Sequence, residues 1–280
     1  MKLVKTFFIA WLMAMVCGGV CYAEAKPGDT FSKTTSAGTT FYYVITDTTS
    51  AHRTVEVVKH NDYTNLSGSI TIPDTVKTSV SPDTTYYVTT IEEKAFRLCT
   101  NLTSVTLPNS IDTIKTEAFR GCGSLTGVTI NGTPSLRIIG DSAFYSCNNL
   151  TNFTIPNTVT KIGVRTFINC AKLEQITIPG SVVFIDQYAF WGCTGIKKIK
   201  VNWTSFNGVT VNSNAVNKIS NQIDTIKLIV PESALSIYTS TSPWNEFLIP
   251  QRTVTADEAG NIPISTISLR PQATADSFYL

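Results

Sequence analysis

A repeat of 23 to 25 residues constrains the fold of this chain more than any other feature of its sequence. Phenylalanines recur at steps of 23, 25, 23 and 23 residues, at Phe96, Phe119, Phe144, Phe167 and Phe190. A cysteine follows each of them three residues later, at Cys99, Cys122, Cys147, Cys170 and Cys193. Self-similarity at a fixed period of roughly 20–50 residues is the sequence signature of repeat architectures.

Each repeat contains two different spacings of apolar residues. Val105-Thr106-Leu107 alternates apolar and polar residues, which predicts a short strand with one buried face. The stretch "IKTEAFRGC" spaces its apolar residues more widely, which suits a short helix or tight turn with one inward stripe. A unit this short cannot bury its apolar face alone, whereas stacked neighbours can, each adding one strand to a parallel sheet. We therefore predict an α/β solenoid with a parallel sheet on one side and short helices or turns on the other.

The consensus of the repeat is readable over Cys99 to Cys122 as "C-x-x-L-x-x-V-x-L-P-x-S-I-x-x-I-x-x-x-A-F-x-x-C". It resembles the BspA-type, cysteine-containing subclass of the leucine-rich repeat superfamily. The resemblance covers roughly residues 64–250, in five clear copies with degenerate flanks. It implies a right-handed curved stack with its parallel sheet on the concave face, used as a binding face.

The first 23 residues have the features of a signal peptide. Lys2 and Lys5 precede an apolar core over residues 7–16, and Cys21-Tyr22-Ala23 offers small residues for cleavage. An uncleaved anchor is the alternative, although the apolar run is short for a span of ~20 residues. Cleavage removes two lysines and leaves 20 basic and 20 acidic residues. A balanced charge argues against nucleic acid or an anionic membrane as a partner.

The remaining chain divides into three predicted segments. Residues 24–63 form a β-rich N-terminal cap, with strands at Phe41–Thr46 and Arg53–His60. Residues 64–250 form the repeat domain and its C-terminal cap, in which Trp244 and Phe247 plug the last repeat. Residues 251–280 are polar without periodicity, which predicts a flexible tail. No stretch of the mature chain is long and apolar enough to predict insertion into a membrane.

The sequence shows no catalytic, cofactor-binding or metal-binding pattern. His52 and His60 both lie in the predicted cap and are interpreted as surface residues. The cysteines recur at about the spacing a disulfide needs between neighbouring repeats, but they are odd in number and share the inward register of the phenylalanines. We favour buried packing thiols over disulfides, and a line of thiols argues against zinc.

Three sets of residues are candidates for partner binding. The outward strand positions predict a threonine ladder, comprising Thr71, Thr106, Thr129, Thr154 and Thr177. Its alternative explanation is strand propensity alone. A basic patch follows at Lys197, Lys198 and Lys200, for which ordinary solvated lysines are the alternative. An apolar stripe includes Tyr188 and Trp191, for which contact with the segment around Trp203 and Phe206 is the alternative.

The family resemblance implies an exported, non-catalytic module that binds a host or microbial surface protein or glycan. Proteins of this type occur on the surface of bacteria and some protists, or are secreted by them, and several are implicated in adhesion. A structural spacer of the cell envelope is the alternative. An enzyme is disfavoured because no polar constellation interrupts the repeat as a grafted active site should.

Overall fold

The computed structural model describes residues 25–49, 53–60, 63, 65–78, 84–212, 214–216, 219 and 223–247. The predicted signal peptide at residues 1–23, His52 and the predicted tail at residues 251–280 lie outside the described residues. In chain order the strands are β1 (Thr30–Thr34), β2 (Thr40–Asp47), β3 (Thr54–Val57), β4 (Ser67–Thr71), β5 (Thr75–Lys77), β6 (Thr85–Ile91), β7 (Asn101–Leu107), β8 (Thr113–Ile114), β9 (Gly127–Ile130), β10 (Ile138–Ile139), β11 (Asn152–Phe153), β12 (Lys161–Ile162), β13 (Gln175–Ile178), β14 (Phe184–Ile185), β15 (Lys198–Val201), β16 (Thr210–Val211) and β17 (Lys227–Ile229).

The repeats stack into a parallel β-solenoid in which each repeat contributes two strands. The predicted alternating segments form one ladder, which we call the long-strand face, and its strands pair in the order β4-β7-β9-β11 and β13-β15-β17. A second ladder runs β6-β8-β10-β12-β14-β16, mostly in strands of two residues. Its inward positions are the isoleucines that stand five residues before each phenylalanine, such as Ile114 and Ile139. The predicted solenoid with a parallel sheet is therefore confirmed.

The phenylalanine–cysteine segments are turns, and the described residues contain one α-helix, Leu235–Ser240, and short 3-10 helices at Ile223–Thr225, Glu232–Ala234 and Trp244–Glu246. Each turn places two residues in the left-handed backbone region, two positions before and two positions after its phenylalanine. These residues are Lys94, Leu98, Glu117, Gly121, Ser142, Ser146, Arg165, Asn169, Tyr188 and Gly192. Two such residues per turn bend the chain too sharply for a helix, and backbone bonds between repeats, such as Phe119 N to Ala143 O at 2.8 Å, replace helical ones.

The phenylalanines form one continuous stack through the centre of the solenoid. Neighbouring rings lie 5.2 to 5.4 Å apart between centroids and within 7° of parallel. All five side chains are fully buried. Aromatic pairs contribute about 0.5–1.5 kcal/mol each beyond the area they bury, so the stack stabilises every repeat against its neighbours.

The cysteines are free and buried, as the sequence predicts for packing thiols. Each Sγ donates a hydrogen bond to a carbonyl of the preceding repeat; Cys147 Sγ, for example, lies 3.2 Å from Phe119 O. The corresponding bonds of the others are Cys99 to Tyr63, Cys122 to Phe96, Cys170 to Phe144 and Cys193 to Phe167. Burial raises the pKa of Cys147 to about 12, so this thiol stays protonated and unreactive at neutral pH.

A β-rich cap covers the N-terminal end of the stack. The predicted strands are β2 and β3, and the sequence reasoning missed β1, which pairs antiparallel with β2. β3 then pairs parallel with β6, so the cap sheet continues into the second ladder. The ring of Tyr63 stacks on Phe96 at 5.0 Å and extends the aromatic column into the cap. Lys115 Nζ donates hydrogen bonds of 2.8 and 2.7 Å to the two carboxylate oxygens of Glu56. These bonds connect the cap to the repeat region.

The C-terminal end of the core is closed by a cluster of aromatic side chains. Trp244 and Phe247 are 1% and 3% exposed and belong to the same buried hydrophobic core as the repeats. Trp203 Nε1 donates to the carbonyl of Val182 at 2.7 Å, and the Tyr238 hydroxyl donates to Trp203 O at 3.0 Å. These bonds satisfy the polar atoms of the two buried rings, so the cluster loses little by desolvation.

Candidate interaction surface

The predicted threonine ladder lies on the outer side of the long-strand face. Thr71, Thr106 and Thr129 are direct neighbours in the strand register. Thr154 follows the end of β11, and Thr177 lies opposite Lys200. All five threonines are exposed or half-buried, so their hydroxyl and methyl groups are accessible to a partner.

The long-strand face is interrupted in its middle. β11 pairs with β9 and β13 pairs with β15, but in the described chain no strand pairing joins β11 to β13. On the two sides of the break, neighbouring repeats are linked by Thr151 N to Thr126 O at 3.0 Å and Lys197 N to Glu174 O at 2.9 Å. The corresponding bond across the break is absent between these described residues.

We attribute the break to the size of one inward side chain, Phe153. The same position of the other repeats holds valine or isoleucine, as at Val128 and Ile176. The ring of Phe153 lies 5.0 Å from that of Phe144 and 5.2 Å from that of Phe167, so it fits between two levels of the phenylalanine stack. Closely packed interiors do not absorb added volume without moving their neighbours, and here the strands beside the ring, β11 and β13, do not pair.

The break forms the floor of a depression of about 180 Å³ on the long-strand face. Polar side chains line it from three successive repeats: Asn152, Thr154, Gln175, Thr177, Lys198 and Lys200. The apolar side chains of Phe153 and Ile229 complete the lining, and Ile229 is 39% exposed. The depression therefore combines amides, hydroxyls, two cations and an apolar edge.

The basic patch predicted from three lysines falls into two parts. Lys197 precedes β15, and its Nζ lies 3.9 Å from a carboxylate oxygen of Glu174. Both side chains of this pair are more than two thirds exposed, so the interaction is weak but the charge is locally balanced. Lys198 and Lys200 point outward from β15 and line the depression.

A third lysine joins the two that line the depression. Lys227 of β17 lies directly opposite Lys198 in the strand register. Neighbouring strands are about 4.8 Å apart, and like charges opposite each other destabilise a sheet. Within the described chain no carboxylate lies within ion-pairing distance of Lys198, Lys200 or Lys227. The positive charge is therefore uncompensated on this part of the long-strand face.

Tyr188 and Trp191 lie on a turn segment, away from the long-strand face. Their rings meet at 5.0 Å, and the guanidinium of Arg165 lies 5.9 Å from the ring of Tyr188. Trp191 is 42% exposed, whereas Trp203 is buried against Phe206 and Trp244. Trp191 therefore stays accessible, and its part in partner binding stays a prediction.

The described residues contain no group of three or more His, Cys, Asp or Glu side chains arranged to hold a metal ion. Nor does any helix among them have the length and apolarity needed to cross a bilayer. The ring of His60 stacks on Tyr42 at 3.5 Å between centroids, so it packs on the cap surface.

Sequence reasoning missed three polar residues of this surface: Asn152, Gln175 and Lys227. Asn152 and Gln175 are inconspicuous because the outward positions before each threonine vary from copy to copy. Lys227 lies in a degenerate repeat whose register is not evident from the sequence. The available signal was Phe153, a phenylalanine where the other four clear copies have valine or isoleucine.

Comparison with known proteins shows that the repeat is similar to a described repeat family. Residues 69–197 match the model of the BspA type leucine rich repeat region in six copies. No curated protein sequence matches the chain significantly.

Two solved structures share this fold. A leucine rich repeat protein of T. pallidum is 26% identical, with a TM-score of 0.50, over 60% of this chain and 71% of that one. The pneumococcal vaccine antigen PcpA is 20% identical, with a TM-score of 0.55, over 75% of this chain. The match spans about half, 51%, of the PcpA chain.

Proposed function

We propose that the chain is an exported, non-catalytic interaction module, since its residues 69–197 match the BspA type leucine rich repeat region. It binds a surface protein or glycan of a host or of another microbe through the long-strand face. In this proposal the chain forms one rigid platform, with its cap at residues 24–63 and its repeat domain at residues 64–250.

The observation that carries the proposal is an accessible polar face on a fully packed stack. Thr129 and Thr177 are exposed, Lys200 lies opposite Thr177, and Lys198 and Lys200 have no carboxylate partner in the described chain. Solenoids present extended surfaces of this kind for binding, because each repeat adds one more row of side chains to a common face. A stack used only as a spacer has no need for uncompensated like charges, which cost stability.

Export is supported by the leader-like sequence at residues 1–23, with its two lysines and apolar core. The structural similarity to a protein described as a pneumococcal vaccine antigen is consistent with a surface location. The free thiols do not argue against an oxidising compartment, since each is buried and hydrogen-bonded.

The test is a binding screen of purified residues 24–280 against extracellular matrix proteins, surface glycans and whole bacteria by biolayer interferometry. We expect saturable binding to at least one ligand. Thr129→Arg should weaken it, because the bulky charged side chain alters the long-strand face. Ile138→Arg is the matched control, since Ile138 is 37% exposed on the second ladder.

Two results would contradict the proposal. Absence of binding to every ligand class would favour the spacer, which needs no ligand. Binding that is lost with Ile138→Arg but kept with Thr129→Arg would move the site to the second ladder.

A further inference from the structure

The depression at the sheet break has the chemistry of a binding site rather than of a packing defect. Lys198 and Lys200 bring two ammonium groups to its rim, and Lys227 lies beside Lys198 on the next strand. The chain without its leader is balanced in charge, so this cluster is a local feature and not an effect of a basic protein. Three neighbouring cations without carboxylate partners in the described chain attract a negatively charged group.

The other lining groups indicate what carries that negative charge. The amides of Asn152 and Gln175 and the hydroxyls of Thr154 and Thr177 can each donate and accept hydrogen bonds. Such two-way groups suit a ligand rich in hydroxyls. The apolar edge formed by Ile229 suits the C–H face of a sugar ring.

The size of the depression favours a single ring over a longer ligand. Its volume of about 180 Å³ lies below the roughly 300–1,000 Å³ of pockets that enclose drug-sized molecules. Strand addition, by which an extended acidic peptide gains main-chain hydrogen bonds, requires an exposed sheet edge. The depression lies on a face, between β11 and β15.

We propose that this depression binds one negatively charged sugar unit of an acidic glycan. Lys198 and Lys200 contact its carboxylate or sulfate group, and Asn152 and Gln175 contact its hydroxyls. This inference rests on the proposed function, because it names the ligand class for the same face. We attribute the site to the single bulky residue Phe153, beside which β11 and β13 do not pair.

The experiment uses immobilised oligogalacturonate, its carboxyl-reduced neutral counterpart, a heparin oligosaccharide and poly-glutamate as probes. We expect the chain to bind the acidic glycans and neither of the other two probes. Lys198→Gln with Lys200→Gln should weaken binding about tenfold or more, equivalent to about 1.4 kcal/mol, because the variant loses its charge-assisted hydrogen bonds to the ligand.

Two further variants test whether binding depends on the shape of the depression and whether it reflects only general electrostatic attraction. Thr177→Tyr fills the depression without changing charge, suits an exposed strand position, and should weaken binding to a similar extent. Lys161→Gln with Lys172→Gln removes the same charge elsewhere and should leave binding within about twofold, as expected for distant exposed charges at physiological salt. Circular dichroism and thermal melts confirm that each variant folds.

Each remaining outcome counts against the inference. Equal losses for the two lysine pairs would show general electrostatic attraction, and full binding by Thr177→Tyr would show that the depression is not used. Binding of poly-glutamate that depends on Lys198 and Lys200 would assign the face to acidic proteins. Binding of another protein or a neutral glycan, with no acidic glycan bound, would refute this inference and leave the proposed function standing. Binding of no ligand at all would refute both.

Discussion

Replacing a phenylalanine of the central stack by leucine should destabilise the protein in proportion to the number of rings it touches. Phe144 and Phe190 are both fully buried and hold the same place in their repeats. Phe144 contacts three rings, at centroid distances of 5.4, 5.0 and 5.4 Å. Phe190 contacts one described ring, that of Phe167 at 5.4 Å.

Leucine retains much of the buried apolar volume at both positions, so the difference between the variants isolates the ring contacts. Two additional contacts at about 0.5–1.5 kcal/mol each predict that Phe144→Leu costs about 1–3 kcal/mol more than Phe190→Leu. Urea unfolding of both variants, followed by far-UV circular dichroism and tryptophan fluorescence, measures this difference in the free energy of unfolding. Equal costs, or a larger cost for Phe190→Leu, would refute the claim that the stacked rings hold the repeats together.

Three further predictions follow from the buried thiols, the left-handed turns and the C-terminal cap. The folded-state pKa of Cys147 is raised from 9.0 to about 12. The stability that the protonated thiol contributes is therefore present below pH 9 and is lost between about pH 9 and 12, at up to ~1.4 kcal/mol per pH unit. Urea unfolding midpoints measured from pH 8 to 10.5 check this loss. Cys147→Ala should make the midpoint fall less steeply with pH. Leu98 has a φ of 64° and is 52% exposed, so Leu98→Gly should stabilise the fold by about 0.5–1 kcal/mol. Gly121 has a φ of 76°, so Gly121→Ala should destabilise the fold by about 1–2 kcal/mol. Thermal melts that reverse this order of stability would contradict the assignment of these turns. Trp203→Phe leaves the Val182 carbonyl without its indole donor and should cost about 1–3 kcal/mol, and a chemical melt unchanged by the substitution would show that this bond contributes nothing.

The sequence predicts the interior of this protein well because the interior repeats. The positions of Phe119, Cys122 and Leu125 recur at the same spacing in all five clear copies, with Ile196 in place of leucine in the last, and all three residues are fully buried. The burial of Trp244 was predictable for a related reason, since a solenoid must cover the open end of its core with large apolar residues after the last copy.

The second ladder and the turn conformations were not predictable from the sequence. Strands such as Thr113–Ile114 are too short to show an alternating pattern. The left-handed positions hold leucine at Leu98 and tyrosine at Tyr188, residue types that give no turn signal. The backbone bonds between repeats hold these residues in place, and such bonds exist only after stacking.

The candidate site depends on departures from the repeat, and these are the hardest features to interpret in one sequence. Phe153 conserves apolar character at its position and so fits the pattern, although its volume breaks the sheet. Lys227 lies opposite Lys198 because of the register in which β17 pairs with β15. No sequence motif in the final segment indicates that register. The threonines of the ladder were predictable in place, and their part in binding stays a prediction.

The central claim is that the repeats share one dry interior with the five thiols inside it. Intact-mass spectrometry of residues 24–280 after incubation with a maleimide at pH 7, native and in guanidinium chloride, tests this most directly. We predict no label on the native protein over hours and five labels after unfolding, because Cys99, Cys122, Cys147, Cys170 and Cys193 are all fully buried and free. Rapid labelling of several thiols in the native protein, or fewer than five labels after unfolding without reductant, would contradict it.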